Sequence, residues 1–307
     1  MAGGGDSKRA IIFALGANFA IAVAKGVAAF VTGSTAMLAE TVHSLADCGN
    51  QLLLLLGLRK SALPPTDEYP LGHGKEIYFW SFLVAVMLFT VGGIYSLYEG
   101  IHKLQNPEPL RQWWWAAGVL VFAIIAESIS MRACLQEVTK SRNGRSIYRW
   151  FRESRQAELV VIFGEDLAAL LGLIFALFAV LMSVFTGNPI WDAIGTLMIG
   201  VLLIVVAVFV AREVKAMLIG QSLEPYRQAE IRAFIEKQPS IKHVISLITL
   251  QLGNEAMVSV QVEMQGLQTA QELTDEINRI ERAMKTQFGE IRFSFFEPEI
   301  RPAVGPN

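Results

Sequence analysis

Residues 157–186 read AELVVIFGEDLAALLGLIFALFAVLMSVFT, an apolar run broken only by Glu158, Glu165 and Asp166. A helix needs about 20 predominantly apolar residues to cross a bilayer core, and a run apolar on every side has no water-facing face. Five more runs share this character: Ala10–Val31, Ala36–Leu58, Ile77–Ile101, Trp113–Gln136 and Pro189–Ala211. The pattern predicts an α-helical polytopic membrane protein with six transmembrane helices. The chain of 307 residues is 53% hydrophobic and 18% charged, with a mean hydropathy of +0.42. An average soluble domain is about 25% charged, and here most of the charge lies outside the runs.

A net charge of -2 excludes a strongly basic nucleic-acid binder and a highly charged disordered chain. Cys48 and Cys134 lie far apart in apolar runs, which excludes a disulfide scaffold or a zinc ribbon. The first run follows Lys8 and Arg9, as in a signal peptide. It lacks a small-residue cleavage pattern and carries Lys25, so it reads as a retained span. No organellar presequence is visible, which favours a bacterial inner membrane.

Lysine and arginine placement sets the orientation. Arg132, Lys140, Arg142, Arg145, Arg149, Arg152 and Arg155 cluster between the fourth and fifth runs, and Arg59, Lys60 and Lys75 lie between the second and third. Thr32–Thr35 and Gly187–Asn188 carry no charge, and His102–Gln112 carries only Lys103 and Arg111 as basic side chains besides its histidine. Both termini are therefore expected in the cytoplasm, with Trp113, Trp114, Trp115 and Trp191 at the outer interface.

The composition turns polar after Gly220. Pro225 opens a helix reaching about Lys237, and Val244–Leu252 reads as a strand ending at the turn dipeptide Gly253-Asn254. Val258, Val260, Val262 and Met264 alternate with polar residues as a second half-buried strand. Leu273, Ile277, Ile280 and Met284 follow helical spacing, and Ile291, Phe293 and Phe295 alternate again. A small α+β unit with its helices on one sheet face is expected. The domains are then a cytoplasmic N-terminus (1–9), a transmembrane transport domain (10–217) and a cytoplasmic α+β domain (218–307).

Ionisable residues inside a span are costly and mark a pathway or a site by default. The second run carries Glu40, His43, Asp47 and Asn50, three or four residues apart and so on one helix face. The fourth carries Glu127 and the fifth Glu165 and Asp166. At about 1.5 Å rise per residue, Asp47 lies roughly 16 Å from either end of its run, and Asp166 and Glu127 roughly 14 Å from the cytoplasmic end. Acids gathered at one depth repel unless a cation joins them, and imidazole with carboxylate suits zinc. His43 and Asp47, at i and i+4, can reach one ion. A carboxylate can instead stay protonated and hydrogen-bond between helices, a reading open for Glu127 and Glu165.

These residues resemble the cation diffusion facilitator family of dimeric metal/proton antiporters. The matching stretches are Thr32-Gly33-Ser34-Thr35-Ala36-Met37-Leu38-Ala39-Glu40 leading into His43-Ser44-Leu45-Ala46-Asp47, then Tyr69-Pro70-Leu71-Gly72-His73-Gly74-Lys75-Glu76. Trp191-Asp192-Ala193-Ile194-Gly195 and Gly220-Gln221-Ser222-Leu223 follow. The resemblance implies a tetrahedral site with two ligands each from the second and fifth spans. His43, Asp47 and Asp166 match three of them. The fourth position falls on Ile162, which cannot bind metal; Glu165, one residue off that face, offers a substitute. His73 is a candidate for a loop site. The tail resembles the family's αββαβ, metallochaperone-like dimerisation domain, with His243 its single histidine.

The implied function is efflux of a divalent cation from the cytoplasm by alternating access, Zn2+ first and Mn2+, Fe2+, Co2+ or Cd2+ as alternatives. Metal and protons would compete for the same lone pairs, with His43 as proton carrier and Glu40 and Glu127 along the pathway. The partners implied are the metal ion, protons, the lipid bilayer and a second copy of the chain. A non-transporting or channel-like metal-binding membrane protein is the alternative raised by Ile162. An intramembrane metalloenzyme would need an activated water and a base, and no HExxH occurs.

Overall fold

The computed structural model describes residues 3–32, 35–107 and 113–299, and for 3–7, 28–29, 31–32, 35–40 and 42–43 the backbone alone. The apolar runs form α1 (Gly3–Thr32), α2 (Thr35–Ser61), α3 (Glu76–Met87), α4 (Tyr95–Gln105), α5 (Trp113–Ser141), α7 (Ala157–Thr186) and α8 (Ile190–Gly220). A π-helical stretch, Leu88–Ile94, joins α3 to α4, so Glu76–Gln105 is one continuous rod. Among the described residues, five helical stretches are long and apolar enough to cross a membrane. α2 has the length but carries the polar face.

Neighbours close a ring: α1 packs on α2 and α5, α5 on α7, α7 on α8, α8 on the α3–α4 rod, and α3 on α2. Small residues let the rods approach, as membrane helices require without a hydrophobic drive between them. A Cβ on Gly200 would sit 2.9 Å from the backbone nitrogen of Leu97, and one on Gly93 only 2.5 Å from Ile204.

A short helix, α6 (Ile147–Glu153), folds in the basic loop that the sequence leaves unstructured. Ser146 caps it by accepting from the Arg149 amide at 3.2 Å. Trp150 on this helix is fully buried and donates its indole N–H to Ser141 at 2.9 Å. The loop therefore folds back under the bundle.

The tail holds α9 (Pro225–Glu236), β1 (Ile241–Leu252), β2 (Glu255–Met264), α10 (Ala270–Gln287) and β3 (Ile291–Pro298). β2 is central, antiparallel to β1 and parallel to β3. The strand alternation appears as burial: Ala256, Val258, Val260 and Val262 face a core closed by Ile231 and Ile235 of α9 and by Ile280 and Met284 of α10. The opposite sheet face leaves Ile248 and Phe295 exposed.

The Arg279 guanidinium donates to Glu276 at 2.8 Å, and Ser240 donates from the end of the α9 loop. Together they pull the Glu276 carboxyl down to about 2, below the usual carboxylate value of about 4.3. A lowered folded-state value gives stability present above the unfolded value and lost as pH falls toward 2. The pair is near the surface, so the gain is small. Glu276→Gln should lower the melting temperature at pH 7 and leave it unchanged at pH 2, read by thermal unfolding at both pH values.

Candidate transport site

α7 brings Glu165 and Asp166 into the centre of the ring, 5% and 2% exposed. Glu165 Oε1 accepts from Asn50 Nδ2 at 3.2 Å and Oε2 from Gln51 Nε2 at 2.7 Å, both reaching across from α2. Asp166 Oδ2 accepts from Ser130 Oγ of α5 at 3.0 Å. Ser130 lies three residues after Glu127, one helical turn along the same face, and Glu127 is 3% exposed. Asp47 on α2 is half-buried. Asp47, Asp166 and Glu127 all lie within electrostatic reach of Glu165, and Asp47, Asp166 and Lys25 within reach of Glu127. Four carboxylates from three helices thus share one region, tied by neutral amide and hydroxyl donors. Lys25 of α1 donates to Ser44 of α2 at 3.0 Å, beside this region.

The helix backbone carries Glu40 and His43 on α2, but their side chains lie outside the described residues. Ile162 is fully buried in an apolar cluster with Leu159 and Val160 of α7 and Cys134 of α5. His73 sits in the turn before α3 with its ring 4.5 Å from that of Tyr69, and His243 is exposed on β1. Among the described residues, no three His, Cys, Asp or Glu side chains form a ready metal cluster.

The donors Asn50, Gln51 and Ser130 complete the acid cluster. Asn50 was legible as part of the polar face of the second run. Gln51 and Ser130 carry no comparable signal in the sequence, although Ser130 follows Glu127 at helical spacing.

The tail closes on the bundle from below. The backbone N–H of Gly253, at the tip of the β1–β2 hairpin, donates to Tyr78 Oη of α3 at 2.9 Å. Arg145, at the end of the basic loop, bridges Glu153 at 3.3 Å and Glu224 at 3.0 Å. Arg155 donates to the Ser222 carbonyl at 2.6 Å.

Residues 11–219 match the family described as "Cation efflux transmembrane domain". The chain is 33% identical over 231 residues to mouse "Proton-coupled zinc antiporter SLC30A9, mitochondrial", covering 75% of this chain and 41% of that protein. It is 32% identical over 231 residues to Arabidopsis thaliana "Metal tolerance protein C4", covering 75% and 50%. It is 27% identical over 260 residues to Klebsiella pneumoniae "Cation-efflux pump FieF", covering 84% and 81%. The chain spans less than half the length of the mouse relative. That relative is named mitochondrial, so the expected bacterial inner membrane has no support from it. The apolar helices and the family match together describe a multi-pass membrane protein, and with the match covering more than half of its length the chain belongs to the cation efflux transmembrane domain family.

Proposed function

We propose that the chain exports a divalent metal cation, zinc first, in exchange for protons. The supporting observation is the gathering of Asp47, Glu127, Glu165 and Asp166 around one buried region. In this reading His43, Asp47 and Asp166 hold the ion, Glu165 supplies the fourth ligand, and Glu40 and Glu127 line the route. Residues 10–217 form six spans with α2 as the sixth, both termini are cytoplasmic, and residues 218–307 pair two copies into a homodimer.

Buried like charges are unfavourable alone and favourable around a cation. Each ligand must be deprotonated to bind, so protons arriving from outside would release the metal. Ile162 does not argue for a scaffold, because Glu165 lies nearby as an alternative oxygen ligand. Its amide partners on α2 hold it toward the helix that carries Asp47.

The deciding experiment is zinc flux into sealed vesicles holding the purified chain, with the internal pH stepped from about 8 to 6, across the reference value of imidazole. Flux should rise as the receiving side is acidified. Flux indifferent to the gradient would remove antiport and leave facilitated diffusion. No flux of any divalent ion would remove transport.

A further inference from the structure

The polar face of α2 continues past Asp47. One turn toward the end of that helix stands Asn50, 3% exposed. Its amide nitrogen donates to Glu165, which fixes which way the amide points. Among the described residues its carbonyl oxygen, Oδ1, is buried without a hydrogen-bond partner. Buried polar atoms are almost always paired, so an unpaired one calls for an explanation.

Asn50 also lines a cavity of about 10 Å³ with Asp47, Met87, Leu88 and Gly92. That space holds about one water-sized sphere, and a dehydrated divalent cation is smaller. The opposite wall is the junction of α3 with the π-helical stretch Leu88–Ile94. Such π segments interrupt regular helices frequently at functional sites. Gln51, whose Oε1 is also unpartnered among the described residues, does not line the cavity. The cavity is therefore lined by a carboxylate residue and by a residue whose amide oxygen is unpartnered among the described residues, with room for one ion.

We propose that Asn50 Oδ1 is a further ligand for the transported cation, beside Asp47 in this cavity, and that it widens the selectivity toward harder ions, Mn2+ above all. The proposal rests on the transport reading above. Carbonyl and carboxylate oxygens suit Mn2+, whereas imidazole suits Zn2+. A neutral oxygen adds coordination without adding another negative charge to an already crowded cluster. The amide then does two things at once: its nitrogen holds Glu165, and its oxygen meets the ion.

The test is calorimetric binding of Mn2+ and Zn2+, separately, to the full chain in detergent, for wild type, Asn50→Leu, Asn50→Asp and Gln51→Met. Asn50→Leu should lower Mn2+ affinity at least about tenfold further than Zn2+ affinity, because it removes an oxygen ligand as well as a donor to Glu165, and loss of an outer partner alone carries about 10–100-fold. Gln51→Met removes only a donor to Glu165 and should shift both metals alike. Asn50→Asp keeps the oxygen and loses the donor, so its Mn2+-to-Zn2+ ratio should equal or exceed that of wild type; this variant decides the matter if Asn50→Leu does not fold. Equal losses for both metals in Asn50→Leu, or a lowered ratio in Asn50→Asp, would overturn the ligand role and leave Asn50 as a holder of Glu165. Wild type binding neither metal would overturn the transport reading itself.

Discussion

Vesicles carrying Asp47→Ala or Asp166→Ala should move no measurable zinc. Loss of an outer partner of a metal site costs about 10–100-fold, and loss of a ligand costs more. Ser130→Ala removes the hydroxyl that donates to Asp166 at 3.0 Å, so it should fall inside that range, at about tenfold. A stability measurement separates this account from simple misfolding. Asp166 is 2% exposed and close to other acids. Removing one buried acid relieves repulsion, so without metal Asp166→Ala should melt no lower than wild type. Added zinc should raise the melting temperature of wild type alone, since a ligand at 100 times its Kd stabilises by about 2.7 kcal/mol. Wild-type zinc flux through Asp47→Ala vesicles would sink the site, and a variant that melts far lower without metal would make the residue structural.

The helices were legible because bilayer length and all-round apolarity leave little else for those runs to be. Ala157–Thr186 is the same in the sequence and in the fold. The tail was legible through period: Val258, Val260 and Val262 alternate, and all three are buried. α6 was hidden because Ile147–Glu153 carries Arg149, Arg152 and Glu153 and reads as a charged loop. Its one buried anchor, Trp150, is set by Ser141 on the preceding helix rather than by any local pattern. The π-helical stretch has no composition of its own, and Leu88–Ile94 reads as ordinary apolar helix. Within the site the acids stood out because charge in a span is rare, and Asn50 because it continues their helix face, whereas Gln51 and Ser130 did not because single amides and hydroxyls in a span are common. How Asn50 and Gln51 divide their atoms between Glu165 and the cavity depends on the approach of α2 to α7, across more than a hundred residues of chain.

Gly74→Val should detach the tail hairpin from the bundle. Any Cβ at position 74 would lie 2.1 Å from the carbonyl oxygen of Leu252 and 2.7 Å from its carbon. Both are backbone atoms of the hairpin, so no side chain can swing aside. The partner in the contact is as constrained: Gly253 has φ +66, a left-handed conformation that favours glycine, and a Cβ there would meet the Gly74 backbone at 2.4 Å. Two glycine backbones therefore touch, and the hydrogen bond from the Gly253 amide to Tyr78 closes the contact. Tyr78→Phe removes only that bond, worth about 1 kcal/mol net, and should raise exchange at the Gly253 amide by less than about tenfold. Gly74→Val must push the hairpin away, so the same amide should exchange at the rate of an open turn. The β1–β2 ladder away from the tip should stay protected, because Val258 and Val260 remain in the tail core. Arg145 and Arg155 still hold the start of the tail through Glu224 and Ser222, which confines the opening to the hairpin tip. Hydrogen exchange on the full chain in detergent reads each of these amides. Unchanged protection at Gly253 in Gly74→Val would mean that the hairpin and the turn before α3 do not meet.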